Sequence, residues 1–431
     1  REFFALGSAE IATTANASDR QKLIEKLEAK NPDLWERYKS AQASATRTLD
    51  YVRREDAGFP LTGKGDVNLY MLFAELARRI VSPLGRVGIL LPSGIATDHT
   101  TKEFFGALVE TKTLTAVYDF VNRLGLFPDV EGRLKFCILL FTGSKMQAET
   151  MDFVFWAEQI EHVETKSRHV ALSARDIKLI NPNTLTCPIF RTQRDAELTK
   201  AIYKRVPILI DLNRKAGGNP WGIKFLRMFD QTNDASLFGE AKQWVRKGYQ
   251  LTGNAYVKGK KRALPLLEAK MTRDYDHRAS WVVMNDKNAY MNYTAESATL
   301  VEHQNPEYLP TPRYWVAESD IMERAPASLS IAAIGFHDIA RANDTRTMVA
   351  CLVPHAGFTN TLPLILNESA IDWRRFSCLT GNLNCYAHDF VVRQKANNAH
   401  LNFFIVEQFP TLPPDTYAAK CPWSKRETLE H

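Results

Sequence analysis

The chain has 431 residues, of which 45% are hydrophobic and 24% are charged. These are ordinary proportions for globular domains, and the length predicts two domains with room for a third small unit. The formal net charge of +6 allows an anionic partner but does not require one. Six scattered cysteines favour a reducing compartment, no apolar run is long enough to span a bilayer, and no signal peptide opens the chain. We therefore expect a cytoplasmic protein without a membrane partner.

Residues 65–105 carry the clearest local pattern. Apolar residues recur at three- and four-residue steps between residues 69 and 80, which predicts an amphipathic helix. The uninterrupted apolar run of residues 87–91 is typical of a strand that is buried on both faces of a parallel sheet. Residues 100–103 have capping-box spacing for a following helix. This order of helix, strand and helix predicts one repeat of a doubly wound α/β sheet.

The sequence on either side of this repeat predicts further elements. Residues 1–54 are predicted to be a helical arm, in which Asn31 and Pro32 suit an N-cap and a first helical residue. Residues 114–120 and 133–141 are two more candidates for buried strands.

Several stretches resemble a known family. Residues 68–73 read NLYMLF and residues 85–92 read GRVGILLP. They resemble the later motifs of S-adenosylmethionine-dependent DNA adenine-N6 methyltransferases of the gamma type. The resemblance to large adenine methylases related to type IIG restriction–modification enzymes and phage-defence methylases extends to residues 181–211, 220–230, 264–278, 309–318, 334–354 and 382–413. Ala269 stands where that family usually has glycine, and His337 stands where it usually has arginine.

The resemblance implies an α/β fold, in which the C-terminal part of a Rossmann-like methyltransferase sheet is followed by an α+β target-recognition domain. We expect the methyltransferase part with its helical arm at residues 1–150, a connecting segment at 151–215 and the target-recognition domain at 216–428. Residues 429–431 are interpreted as the remnant of a purification tag. Because the chain begins at an arginine within structured sequence, we expect it to be a piece of a longer parent protein.

The cofactor implied for the parent is S-adenosylmethionine, and the implied partners are double-stranded DNA and, in a defence system, further proteins. Phe136 falls near the aromatic residue that stacks on a flipped adenine, although an ordinary core role is equally expected. Asn68 and Tyr70 are expected to line the cofactor side of the pocket. The DNA-contacting candidates are Lys258, Lys260, Lys261, Arg262, Lys270, Arg273, Arg278, Arg393 and Lys395.

Other features limit the chemistry of this chain. It contains neither the glycine-rich cofactor loop nor the Asn-Pro-Pro-aromatic loop of adenine methylation, so no catalytic residue is predicted and the fragment alone is expected to be inactive. No zinc-ligand spacing occurs, so no metal is predicted. Arg191 and Arg194 could meet phosphate, or could pair with Asp195 and Glu197 in a structural role.

Other classes of protein remain open. The chain could be the specificity half of a fused type IIG restriction endonuclease–methyltransferase, or a non-catalytic DNA-binding subunit of a phage-defence complex. An RNA substrate is a weaker alternative, because the recognition region resembles that of DNA enzymes.

Overall fold

The computed structural model describes residues 1–14, 17–283, 294–325, 329, 332–396 and 400–430, which form a mixed α/β fold. The helices are α1 (Ala9–Thr13), α2 (Ala17–Glu25), α3 (Leu27–Lys30), α4 (Pro32–Arg53), α5 (Leu69–Ile80), α6 (Gly94–Thr97), α7 (Lys102–Glu110), α8 (Glu161–Glu164), α9 (Ala174–Ile180), α10 (Gln193–Arg205), α11 (Ala241–Arg246), α12 (Leu300–Gln304), α13 (Glu318–Arg324), α14 (Trp373–Asn384), α15 (Tyr386–Lys395) and α16 (Phe403–Val406).

The strands are β1 (Arg86–Pro92), β2 (Leu114–Val121), β3 (Lys135–Thr142), β4 (Thr150–Ala157), β5 (Val170–Ser173), β6 (Ile223–Leu226), β7 (Phe238–Gly239), β8 (Gln250–Thr252), β9 (Ala255–Lys258), β10 (Lys261–Leu267), β11 (Ser280–Val282), β12 (Ala295–Ser297), β13 (Trp315–Ala317), β14 (Ala332–Phe336), β15 (Ala350–Pro354), β16 (Gly357–Phe358) and β17 (Leu364–Asn367). The chain divides into two compact units. Unit 1 comprises Arg1–Thr115 and Phe136–Ala148, and unit 2 comprises Ala116–Lys135 and Glu149–His431.

The N-terminal arm of unit 1 is helical, as predicted. The side chain of Asn31 accepts a hydrogen bond from the Leu34 amide and Pro32 follows it at the start of α4, so the expected N-cap is confirmed. The arm has a small core of its own, formed by Phe4, Ile11, Ile24, Leu27 and Leu34.

Helix α5 forms where the periodicity predicts it, but it buries a different face. Leu69, Phe73 and Ile80 of the apolar stripe are exposed, whereas Met71, Ala74 and Glu75 face the interior. Glu75 is only 1% exposed, and its carboxylate accepts hydrogen bonds from the Leu61 and Thr62 amides and from the Thr62 hydroxyl at 3.1, 2.9 and 2.6 Å. Hydrophobic periodicity cannot predict that Glu75 is buried and hydrogen-bonded, because a glutamate in a sequence pattern is normally assigned to the surface.

The pairing and burial of strand β1 also differ from the prediction. It pairs antiparallel with β3, from Arg86 opposite Thr142 to Pro92 opposite Phe136. Leu90 is 49% exposed and Leu91 is its only fully buried residue, so burial on both faces in a parallel pairing was the wrong expectation. The predicted capping box at residues 100–103 is also absent, because the N-cap of α7 is Thr101 and its hydroxyl donates to the Gly94 carbonyl at 2.7 Å.

Unit 2 begins with a parallel pair of strands. β2 is largely buried, as predicted for residues 114–120, and runs parallel to β4, which pairs antiparallel with β5. An irregularity in the β2–β4 register follows Tyr118. Since parallel strands end at the same edge, the carboxyl ends of β2 and β4 lie side by side.

The remainder of unit 2 contains two larger sheets. One has the order β7-β13-β10-β9-β8, and β16 runs parallel to β10 at its end. The other has the order β15-β14-β17-β6 with antiparallel pairing. A core cluster that includes Phe336, Phe376 and Val392 joins the second sheet to α14 and α15. Strands β9 and β10 of the first sheet carry Lys258, Lys261 and Arg262, and the turn between these strands carries Lys260.

The buried Glu75 carboxylate in unit 1 gives a direct test of how α5 packs. Replacing Glu75 by alanine leaves buried amides without an acceptor, so we expect the free energy of unfolding to fall by about 2–3 kcal/mol. Glu110→Ala, at the exposed end of α7, is the matched control and should change stability by less than about 0.5 kcal/mol. Urea unfolding followed by circular dichroism measures both, and equal stability of the two variants would contradict the packing.

Candidate nucleic-acid interface

Four of the predicted DNA-contacting residues lie at the tip of a β-hairpin in unit 2: Lys258, Lys260, Lys261 and Arg262. Lys258 at the end of β9 faces Lys261 at the start of β10, so Gly259 and Lys260 form a two-residue turn. Gly259 has a φ of +58°, which a two-residue hairpin turn requires at its first central position and which glycine adopts without steric cost. The turn therefore presents its lysines from a fixed backbone.

Positive charge accumulates around this turn. Residues 241–262, which comprise α11, β8, β9 and the start of β10, contain no aspartate or glutamate. We call them the basic hairpin region. All seven of its cationic side chains are exposed: Lys242, Arg246, Lys247, Lys258, Lys260, Lys261 and Arg262. The sequence analysis missed Lys242, Arg246 and Lys247, although the long stretch without a carboxylate was a signal that could have found them.

The cations of this region differ in the hydrogen bonds and ion pairs that they already form within the protein. The Lys258 ammonium donates to the Lys247 carbonyl at 2.7 Å, and Arg262 forms an ion pair with Glu318 at 3.1 Å. Lys260 and Lys261 form no ion pair with any residue that the structure describes. Two ammonium groups at the tip are thus available to an anionic ligand.

Residues 268–278, which follow β10, contain three of the predicted DNA-contacting cations, and these differ in their contacts. Lys270 forms an ion pair with Glu268 at 3.1 Å, and Arg273 is exposed while its guanidinium donates to the Thr272 carbonyl at 2.9 Å. Arg278 donates to the backbone carbonyls of three residues, His303, Asn305 and Tyr308. Arg278 therefore shapes a neighbouring loop, and only Arg273 of this group presents an exposed charge.

The two candidates near the C-terminus require a correction. Lys395 is 8% exposed, and its ammonium donates to the carbonyls of Ile180 and Gln408 at 2.9 Å each. Burial holds the pKa of Lys395 well below its usual value. The Arg393 guanidinium bonds to the Asp389 carboxylate and to the carbonyls of two other residues. Both cations are used inside the fold, so we remove them from the set of DNA contacts.

The remaining candidates lie in unit 1. Asn68 is the exposed N-cap residue of α5 and makes no capping hydrogen bond. Tyr70 is half-buried, and burial, together with Asp98, raises the pKa of its hydroxyl to about 12. Its hydroxyl is close to Gly94, where an added methyl group would come within 3.3 Å of the oxygen. Phe136 is half-buried at the start of β3.

His337 replaces the arginine expected from the resemblance. One ring nitrogen lies 2.9 Å from the Thr272 hydroxyl, and burial, reinforced by Arg273, lowers the pKa of the ring to about 4. The imidazole is thus neutral near pH 7. A neutral ring cannot supply the constant positive charge that an arginine would give to a phosphate.

Two other features are absent from the described residues. They contain no group of three or more histidine, cysteine, aspartate or glutamate side chains that could hold a metal ion. Within the same ranges, no helix is both long and apolar enough to cross a membrane.

Comparisons with known proteins give distant structural similarity. No family model and no curated protein matches the sequence. A type I restriction–modification system matches over 29% of this chain and 32% of its own, with 12% identity and a TM-score of 0.24. The type IIG restriction endonuclease BpuSI matches over 82% and 43%, with 10% identity and a TM-score of 0.31.

The ATP-dependent type ISP restriction–modification enzyme LlaBIII, bound to DNA, matches over 85% of this chain and 27% of its own, with 9% identity and a TM-score of 0.35. The chain thus spans less than half the length of each of these three structures. At these TM-scores the similarities assign no function to this chain.

The lowered pKa values of two histidines, His337 and His388, predict how the stability of the protein depends on pH. Because burial lowers the pKa of His337 and of His388 from 6.5 to about 4, each ring takes up its proton more readily in the unfolded chain. We expect the two histidines to make the free energy of unfolding fall as the pH drops from about 6.5 to about 4, by roughly 3 kcal/mol per histidine. Urea titrations across this range measure the slope. His337→Gln should remove part of it, and an unchanged slope would contradict the assignment.

Proposed function

We propose that this chain selects the DNA site for a site-specific DNA adenine-N6 methyltransferase, and that it contributes one wall of the cofactor and adenine pocket. The observation that carries the DNA part is the basic hairpin region, in which seven exposed cations lie within a segment that itself contains no aspartate or glutamate. Cations on a protein surface gain affinity for DNA by releasing counterions condensed on the phosphates.

The position of the hairpin turn supports this role. The β9–β10 turn lies at one end of the sheet β7-β13-β10-β9-β8, where the exposed Lys260 and Lys261 would meet the phosphates of a duplex. Arg273, which is exposed within residues 268–278, adds a cation of the same unit. Contacts between such cations and the phosphate backbone of DNA orient a protein on the duplex. The base edges have to be read by other side chains.

The methyltransferase part rests on the sequence resemblance of residues 68–73 and 85–92. In the parent, S-adenosylmethionine would supply the methyl group for the adenine amine. Asn68 and Tyr70 would line the cofactor side, where the high pKa of Tyr70 keeps its hydroxyl protonated and able to donate a hydrogen bond. Phe136 would offer a ring face to the adenine, which loses its stacking when it leaves the duplex.

Salt dependence tests the DNA part. We expect the double variant Lys260→Gln/Lys261→Gln to bind a random-sequence duplex more weakly and to lower the slope of log affinity against log salt by about 2, because each contact contributes about 0.9. Lys26→Gln/Lys30→Gln, in the exposed surface of the helical arm, removes the same charge and is the matched control. Fluorescence anisotropy measures both, and equal slopes for the two variants would contradict the proposed contact.

Methylation tests the enzyme part. Single-molecule methylation sequencing should detect N6-methyladenine at one defined motif in DNA from cells that express the full-length parent, and none in cells that express this chain alone. Absence of modified adenine in both cultures would contradict the methyltransferase proposal. It would instead favour the non-catalytic DNA-binding subunit.

A further inference from the structure

A second candidate site lies in unit 2, at the edge where the parallel strands β2 and β4 end. Asp119 near the end of β2 is 4% exposed, and its carboxylate accepts a hydrogen bond from the Trp156 amide in β4 at 3.3 Å. The Lys135 ammonium lies 3.6 Å from the same carboxylate. In open α/β sheets, this carboxyl edge is where ligands commonly bind.

The backbone of Trp156 is held in a conformation that bulky residues rarely adopt. Its φ of +48° lies in the left-handed region, which is sterically unfavourable for a side chain of this size. Two groups fix this conformation. The Asp119 carboxylate binds the Trp156 amide, and the Arg168 guanidinium donates to the carbonyls of Phe155 and Trp156 at 3.2 and 3.0 Å. Strain that the surroundings enforce in this way is concentrated at functional sites in proteins.

Two cations from different segments converge on the ring of Trp156. The Lys135 ammonium lies 5.2 Å from the ring centroid, and the Arg191 guanidinium lies 5.4 Å from it. Arg191 is exposed and forms no hydrogen bond or ion pair with any described residue. Both distances are within the range of cation–π attraction. The half-buried ring therefore has excess positive charge beside it, only part of which Asp119 compensates.

We propose that Trp156, Lys135 and Arg191 form a platform for one unpaired DNA nucleotide, in which the exposed Arg191 guanidinium moves from the indole face to the phosphate and the base stacks on the face that it leaves. The choice of DNA rests on the proposed function. The chemistry of the platform restricts the ligand to a group that is both aromatic and anionic, and a nucleotide combines the two. The positive charge disfavours a sulfonium cofactor, which would be repelled by the same two cations.

Binding of single-stranded DNA tests this platform. The probe is a fluorescein-labelled oligothymidine of about 12 nucleotides, which fits the site size of single-strand-binding folds. We expect Trp156→Gly to weaken its binding about tenfold or more, because stacking on an aromatic side chain contributes about that much per base. Glycine is chosen because it adopts the φ of +48° without strain. Trp156→Phe keeps an aromatic face and should bind within about threefold of the original chain.

Two further variants separate the platform from general effects. Trp423→Ala removes a tryptophan that is 80% exposed, and we expect it to leave oligothymidine binding unchanged. Arg191→Met should weaken oligothymidine binding and lower its salt slope by about 0.7, the contribution of one phosphate contact on a single strand. Circular dichroism melting confirms that each variant is folded. If Trp156→Gly misfolds, Arg191→Met decides the question, and a salt slope for Arg191→Met equal to that of the original chain would then overturn the platform.

The same variants are measured against a random-sequence duplex. If the original chain binds the duplex and Trp156→Gly still binds oligothymidine as tightly as the original chain, the platform is wrong while the proposed function stands. If the original chain binds neither probe, both proposals fail. Loss of oligothymidine binding with retained duplex binding in Trp156→Gly is the expected result.

Discussion

A charged group that is taken out of water has to be hydrogen-bonded, because its desolvation is otherwise too costly for a folded chain. This constraint organises the interior of both units. In unit 1 the Glu75 carboxylate binds the loop at Leu61 and Thr62, 14 and 13 positions earlier. In unit 2 the Lys395 ammonium bonds to the Ile180 carbonyl, 215 positions away in sequence. Each buried charge thus fixes the position of a segment that is distant from it along the chain.

The same constraint separates cations that build the fold from cations that can meet a ligand. Arg393 and Arg278 donate to several backbone carbonyls, and using either one for phosphate would leave those carbonyls without their donors. Lys260 and Lys261 form no such hydrogen bonds with the described residues, since both are exposed at the hairpin tip. The cost of releasing an existing contact is therefore absent at the tip, and binding there retains more of the electrostatic gain.

How far the sequence predicts this protein depends on the range of the interactions involved. The N-cap at Asn31 and the turn at Gly259 are local, since each needs only residues that are a few positions away, and a sequence pattern records such requirements well. The environment of Lys395 is set by carbonyls from two distant segments, so its sequence neighbourhood resembles that of any surface lysine. The conformation of Trp156 likewise depends on Asp119 in another strand. Tertiary contacts, which leave no periodic pattern, decided these sites.

The geometry of the hairpin also limits what it can contribute. Gly259 and the register of Lys258 with Lys261 fix the backbone of the turn, but the lysine side chains have flexible stems with point-like charges at their ends. Such groups bind phosphates and discriminate poorly between base edges, for which bidentate amide or guanidinium groups are better suited. In the proposed complex the hairpin therefore supplies affinity that is independent of sequence. Discrimination between DNA sites then has to come from shorter or planar side chains elsewhere in unit 2, which the hairpin would bring within reach of the bases.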